Sequence, residues 1–339
     1  RLQRYAIDTY FERGMPPLFT PAPKNGRSVG IIGGGPSGLA CAAELALLGY
    51  EVTIYEGKRT AGGLDTWGIA PYKMRFQDSL NEIRLVESFG VTIKTDEWVG
   101  KDISIAELER MHDALFIGIG LGRSANLNVP GEELPGVVEA LEFIEKVTRR
   151  EWSSVDVGRR VAVIGAGNTA IDAVTEAKRL GAENVMILYR RSEEEMSAYD
   201  FEYELAKSDG VNFHFLTAPI RILGSAHVEA IECVKMELRP PDARGRRTAS
   251  PIPNSEFVLP VDMVIKAIGQ KTSETLLSGI TNLVLIGGTI AVHPQTFQTS
   301  NPKYFAGGDC INGGKEVVNA AADGKRAAHG IDKHLFPTR

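Results

Sequence analysis

The sequence predicts an α/β protein with two Rossmann-like dinucleotide-binding domains. Three observations predict it. A strand–glycine turn–helix–strand unit lies near the start, and a second copy follows about 130 residues later. A late Gly-Gly-Asp turn then leads into a long helix. The 36 glycines gather at these places, namely 30–38, 118–122 with 165–167, and 307–314. Glycine gathers where backbone turns sharply or approaches a ligand closely.

The elements follow in order. Residues 1–15 read as a short helix, and PPLFTPAP (16–23) as a tether, because prolines that dense remove helix donors. SVGII (28–32) is an unbroken apolar run and reads as a buried strand. GGGPSG (33–38) is a turn, LACAAELALLG (39–49) a helix closed by glycine, and YEVTIYE (50–56) the next strand. The second copy runs RRVAVI (159–164), GAGNTA (165–170), IDAVTEAKRLG (171–181) and NVMILYRRS (184–192). Between 211 and 266, short runs such as VNFHFL and VLPVDMVIKAIG predict an antiparallel meander, and RPPDARGRRTASPIPNSE (239–256) a mobile hairpin or loop. The tail gives YFAGGDC and then the helix VVNAAADGKRAAHGIDKHL.

Composition excludes several functions. The 339 residues suggest two domains, and 43% hydrophobic with 24% charged residues is ordinary for a globular core. A net charge of −5 argues against nucleic acid or an anionic membrane as the main partner, and pairs such as Arg149-Arg150, Arg159-Arg160 and Arg246-Arg247 read as solvated surface. Cys41, Cys233 and Cys310 are far apart, so a C-x-x-C dithiol, a zinc site and a cluster on adjacent cysteines all lack ligands. The six histidines show no metal spacing, and no metal is expected. No apolar stretch reaches 18 residues without a charge, and the start is amphipathic, so neither a transmembrane helix nor a signal peptide is expected. A cytoplasmic setting is expected, and the first residue, Arg1, points to a processed, engineered or partial chain.

The glycine turns carry the chemistry. In G-x-G-x-x-G, the first glycine permits the turn, the second lets a pyrophosphate approach, and the third lets helix pack on strand. Gly33, Gly35 and Gly38 fill those positions, and the helix start at Pro36 and Ser37 supplies free N–H groups. A chain this rich in glycine holds about 0.4 such patterns by chance, so the flanking strand and helix and the acid at Glu56 give the pattern its weight. The acid stands where a ribose hydroxyl would be bound. The second turn has Gly165, Gly167 and Ala170, the accepted variant. Its strand ends in Arg190 and Arg191, which suit a 2′-phosphate where an acid would repel one. NADP(H) is therefore favoured over NAD(H); two arginines on a solvated strand end are the plainer alternative. Gly307-Gly308-Asp309 could hold a polyol chain.

Those signals, in that order, resemble the two-dinucleotide-binding-domain flavoproteins. More narrowly the chain resembles the glutamate synthase small subunit and the flavin portion of dihydropyrimidine dehydrogenase. The stretches that carry this are IIGGGPSGLACAAELALLGYEVTIYE, AGGLDTWGIAPYKM, VAVIGAGNTAIDAV, ILYRRSEEEM, DMVIKAIGQ and FQTSNPKYFAGGDC. The resemblance implies FAD contacts at Gly33, Gly35, Pro36, Ser37, Gly38, Glu56, Gly63, Leu64, Lys73 and Val99. Gly308 and Asp309 would hold the ribityl chain, with Val317 near the isoalloxazine. It implies NAD(P)H contacts at Gly165, Gly167, Asn168, Thr169, Arg190, Arg191, Ala267, Ile268 and Gly269. The organisation implied is a helix and tether at 1–23, a discontinuous FAD domain at 24–125 plus 271–339, and an inserted NAD(P)H domain at 126–270. Two positions depart from the family pattern: Ser197 stands where Pro is usual, and Ala70-Pro71 replaces an Ile-Pro pair. In the family, a segment like LQRYAIDTYFERG follows a helical domain whose cysteines ligate iron–sulfur clusters. That domain is lost, cut off, or carried by a partner.

The expected enzyme is an FAD-dependent NAD(P)H oxidoreductase, an electron-input subunit serving a partner reductase that carries the clusters. No catalytic acid or base is assigned, since hydride passes between cofactors. Asp172 could orient a carboxamide or cap its helix. A subunit of a dihydropyrimidine dehydrogenase, a lone oxidase or quinone reductase, and a non-catalytic nucleotide-binding regulatory subunit remain alternatives. A thioredoxin-reductase type lacks its cysteine pair.

Overall fold

A computed structural model describes residues 2–122, 124–150, 154–242, 245 and 247–337. It divides into two compact units, Arg1–Thr66 with Met74–Arg123 and Lys271–Arg339, and Trp67–Lys73 with Ser124–Gln270.

The first unit opens with α1 (Leu2–Glu12), β1 (Ser28–Ile32), α2 (Pro36–Leu47) and β2 (Glu51–Tyr55). Then come α3 (Leu64–Trp67), α4 (Phe76–Ser88), β3 (Thr92–Lys94), α5 (Ile105–Met111) and β4 (Ala114–Ile117). The second unit contains β5 (Val137–Glu139), α6 (Ala140–Thr148), β6 (Arg160–Ile164), α7 (Asn168–Arg179), β7 (Asn184–Leu188), α8 (Asp200–Ser208) and β8 (Asn212–His214). It continues with β9 (Thr217–Leu223), β10 (Ala230–Leu238), β11 (Ala249–Pro260) and β12 (Met263–Lys266). The chain returns to the first unit through α9 (Glu274–Leu277), β13 (Leu285–Ile286), β14 (Thr289–Ile290), β15 (Tyr304–Ala306), α10 (Asp309–Asn312) and α11 (Val317–Leu335).

Each unit is built on a five-stranded parallel sheet, ordered β15-β4-β1-β2-β3 in the first and β5-β12-β6-β7-β8 in the second. Helices cover both faces of such sheets, so their strands are apolar throughout. Val29–Ile32 and Val161–Ile164 are accordingly buried without alternation. In both sheets the first strand of the glycine unit is central, with its sequential successor on one side and a returning strand on the other. Strand order reverses there, which is where doubly wound folds bind ligands.

One expectation needs correction and another is narrowed. The meander is smaller than predicted: only β9, β10 and β11 form an antiparallel sheet, while β8 and β12 join the parallel one. Short apolar runs do not reveal which neighbour they pair with. Of the hairpin or loop expected at 239–256, the hairpin is found: β11 pairs antiparallel with β10, Ala249 opposite Leu238, and its second arm is strand from Ala249 onward. Its prolines are tolerated because β11 is an edge strand, paired with β10 alone. Ala243, Arg244 and Arg246 of that loop lie outside the described residues.

Helices α2 and α11 of the first unit pack closely. A Cβ at Gly324 on α11 would lie 2.1 Å from the Ser37 carbonyl oxygen on α2. Gly324→Ala therefore forces backbone apart and is expected to destabilise the chain by about 3 kcal/mol. Urea unfolding measures it; an unchanged midpoint would show that the helices sit further apart.

Candidate functional site

At the first turn, each glycine has a separate task. Gly33 has a φ of +96°, and a Cβ there would lie 2.7 Å from the Gly118 carbonyl oxygen just beyond β4. At Gly38 a Cβ would lie 2.1 Å from the Gly33 carbonyl, so the start of α2 rests directly on the turn. Gly35 has no atom nearer than 3.9 Å to that position, which leaves the backbone open to a bulky anion. Proline opens α2, and its N-cap, Gly35, offers no side chain to the first N–H groups. Those donors and the positive end of the helix face the opening. The Glu56 carboxylate accepts the N–H groups of Gly34 and Lys58, both at 2.8 Å, and each oxygen keeps a lone pair for a hydroxyl.

Gly63 and Gly308 also approach this turn, and the other expected residues follow from their elements. A Cβ at Gly63 would lie 2.9 Å from Gly35 Cα, and Leu64 follows it, exposed. Gly308, with φ of +79°, approaches the Ser37 hydroxyl so closely that a Cβ would lie 2.8 Å from it. Asp309 opens α10 and accepts the Lys315 N–H at 3.2 Å. Burial, with Asp323 adding, raises its pKa above the usual carboxylate range. Val317 opens α11, and Val99 bridges Ile103 beyond β3.

Lys73 belongs to the second unit. Its ammonium lies 2.7 Å from Asp172 and 2.8 Å from Glu202, both nearly buried, in the second unit. Tyr72 donates to Asp172 at 2.7 Å, and the Arg179 guanidinium lies 4.4 Å from the Tyr72 ring centre. These contacts draw Trp67–Lys73 out of the first unit, a grouping that the linear sequence conceals. Lys73 is thus paired with two carboxylates of its own unit. Asp172 neither caps α7 nor stands free; it anchors this segment.

Three residues near the first turn carried no sequence signal. Asp323 accepts from the Gly308 N–H at 3.3 Å and from Asn312 at 3.2 Å, fixing the late glycine turn. The Trp98 indole lies against Gly57, next to Glu56, and is half exposed. Asp65 has one carboxylate oxygen buried without a hydrogen-bond partner. Burial, with Glu82 and Asp309 adding, pushes its pKa up to about 7.

The second turn repeats the first. Gly165 has φ of +127°, and a Cβ would lie 2.2 Å from the carbonyl oxygen of Ala267, just beyond β12. Gly118 and Ala267 hold equivalent places, each after the returning strand. Ala170 is fully buried where the first turn has glycine. Gly167 caps α7 without a side chain, so Asn168 and Thr169 open a helix whose first donors lack a side-chain acceptor. Ala267 donates to Ile164 at 2.9 Å, Ile268 packs on the apolar cluster beside β6, and the Gly269 carbonyl receives the Ala125 N–H. Ala267 thus meets the turn directly, and Ile268 and Gly269 follow it in the chain.

Arg190 and Arg191 follow at the end of β7. Among the described residues neither guanidinium has a carboxylate partner, although Arg191 contacts the Tyr189 hydroxyl. Arg247 behaves differently, lying 3.5 Å from Glu195 and 3.9 Å from Glu194. An unneutralised arginine pair at this strand end is suited to a phosphate.

Cys41, Cys233 and Cys310 are free and buried, and among the described residues no group of three acids, histidines or cysteines could hold a metal ion. No helix among them is long and apolar enough to cross a membrane.

Residues 27–324 match the family model for pyridine nucleotide-disulphide oxidoreductases. The chain belongs to this family. It is 40% identical over 321 residues to the NADP(+)-dependent formate dehydrogenase subunit beta of Moorella thermoacetica, covering 93% of this chain and 45% of that protein. It is 36% identical over 345 residues to the glutamate synthase [NADPH] small chain of Escherichia coli K12, covering 97% of this chain and 73% of that one. The chain thus spans less than half of the first relative and most of the second. Among solved structures, Mycobacterium tuberculosis FprA in complex with NADPH superposes with a TM-score of 0.78 at 22% identity, covering 93% of this chain and 85% of FprA. That likeness shows the two-Rossmann-unit fold. As a member of the family the chain is an oxidoreductase, and the resemblance to glutamate synthase small subunits read from its motifs holds.

Proposed function

We propose that the first turn binds FAD, that the second binds NADPH, and that the chain feeds electrons from NADPH to a partner protein. The observation that carries this is the duplicated turn at equivalent strand-order reversals, with Glu56 ending one strand and the unpaired Arg190-Arg191 ending the other. The residues fit the two groups. Gly35 leaves open backbone, Gly167 is approached by the Ser197 hydroxyl alone, and both cap their helices without a side chain, the kind of helix start where pyrophosphates are bound. Bound FAD supplies the chemistry by accepting a hydride and passing its electrons on. The chain's own work is binding and orientation. Glu56 holds the adenosine ribose, the start of α2 holds the flavin-side pyrophosphate, and Asp309 orients the ribityl chain. Arg190 and Arg191 select the 2′-phosphate, while Ala267, Ile268 and Gly269 line the second nucleotide.

Relatives are named as subunits or chains of larger enzymes, which supports a partner for this chain too. The partner we infer carries iron–sulfur clusters, since none of the three buried cysteines is placed to hold one. A cytoplasmic setting suits three unpaired thiols. Steady-state assays with NADPH test the reading. The chain should reduce ferricyanide, an artificial electron acceptor, and leave the disulfide of oxidised thioredoxin intact. Reduction of the disulfide, or no turnover by a flavin-loaded chain, would overturn it.

A further inference from the structure

The segment after the arginine pair lies along the second turn. Ala198 donates its N–H to the Ala166 carbonyl at 3.2 Å, and Tyr199 donates to the Asn168 side-chain oxygen at 3.1 Å. Between those anchors and the 3₁₀ turn Glu193–Glu195, Ser197 has little freedom to move its backbone. Its hydroxyl comes to 3.3 Å from the place a Cβ would occupy on Gly167, the nearest atom to that position. Gly167 is the glycine whose bare backbone admits a pyrophosphate. Ser197 is exposed, and its hydroxyl has no hydrogen-bond partner among the described residues. An exposed hydroxyl with no partner among the described residues, this close to the capping glycine of a helix, can donate to an anion bound at that helix start.

We propose that Ser197 donates a hydrogen bond to the pyrophosphate of the nicotinamide dinucleotide, supplementing the backbone donors of α7. The inference rests on the second turn binding that nucleotide. It makes the departure from the family's proline functional, because proline has no hydroxyl to give. It also makes Ser197 a binding residue whose effect is confined to ligands that contain a pyrophosphate.

The test compares dissociation constants of NADPH, ADP-ribose and adenosine 2′-monophosphate by calorimetry, using the flavin-loaded chain and its Ser197→Ala and Ser197→Pro variants. Met196 is already extended, with φ of −67° and ψ of 134°, so proline fits after it. Both variants should bind NADPH and ADP-ribose about tenfold more weakly, the low end for an exposed hydrogen bond to a charged group. Adenosine 2′-monophosphate, which lacks the pyrophosphate, should bind all three proteins alike. Unchanged ADP-ribose binding in Ser197→Ala, an equal loss for adenosine 2′-monophosphate, or recovery by Ser197→Pro would each overturn the proposal. An unaltered chain that binds NADPH while the variants match it removes this inference alone. An unaltered chain that binds no NADPH removes the reading beneath it as well.

Discussion

Replacing Arg190 and Arg191 together with alanine is expected to weaken NADPH binding by about 100-fold and NADH binding by less than about threefold. The two nucleotides differ only in the 2′-phosphate, so the ratio of the effects isolates the contact. A charge-assisted hydrogen bond contributes about 1.5–3 kcal/mol, and an exposed one lies at the low end. Two such contacts at the low end give the expected factor. Because neither guanidinium is neutralised by a neighbouring carboxylate, removing them frees no buried charge. The stability of the chain should therefore change little. Equal loss for both nucleotides would mean that the pair supports the fold of the turn and does not select the phosphate.

The second large effect concerns Asp65. Its folded pKa is raised to about 7 from a usual value of 3.8, first by burial and then by Glu82 and Asp309. A carboxyl group raised in this way favours folding below about pH 4, where both states are protonated. That contribution is lost as pH rises through 7, because the folded chain must then ionise a group with an unpartnered buried oxygen. Asp65→Asn removes the charge, so the flavin-free variant should be more stable than the unaltered chain by on the order of 3 kcal/mol at pH 8. At pH 4 the two should coincide. Urea unfolding at both values checks this; a gap that stays constant with pH would place the carboxyl in contact with water.

Much of the fold was legible because its signals are local. The tight turns at Gly33 and Gly165 demand glycine, and the strands before them are buried on both faces, so their runs are unbroken. Glu56, Arg190 and Arg191 were legible for a related reason, as each follows its strand at a fixed distance from the turn. What escaped depends on contacts between distant segments. The ion pairs of Lys73 with Asp172 and Glu202, about 100 and 130 residues away, left no trace in its motif. Asp65 is an ordinary surface residue in sequence until Glu82 and Asp309 fold around it. The strand at Ala249–Pro260 was hidden by its prolines, which only an edge position excuses. Ser197 was visible as a departure from a pattern, yet its closeness to Gly167 was not.

The most direct measurement is an anaerobic visible titration of the purified chain, reconstituted with FAD, first with NADPH and then separately with NADH. The account predicts an oxidised flavin band that NADPH bleaches stoichiometrically, with NADH needing far higher concentration. A chain that takes up no FAD, or a bound flavin that neither nucleotide bleaches, would contradict it.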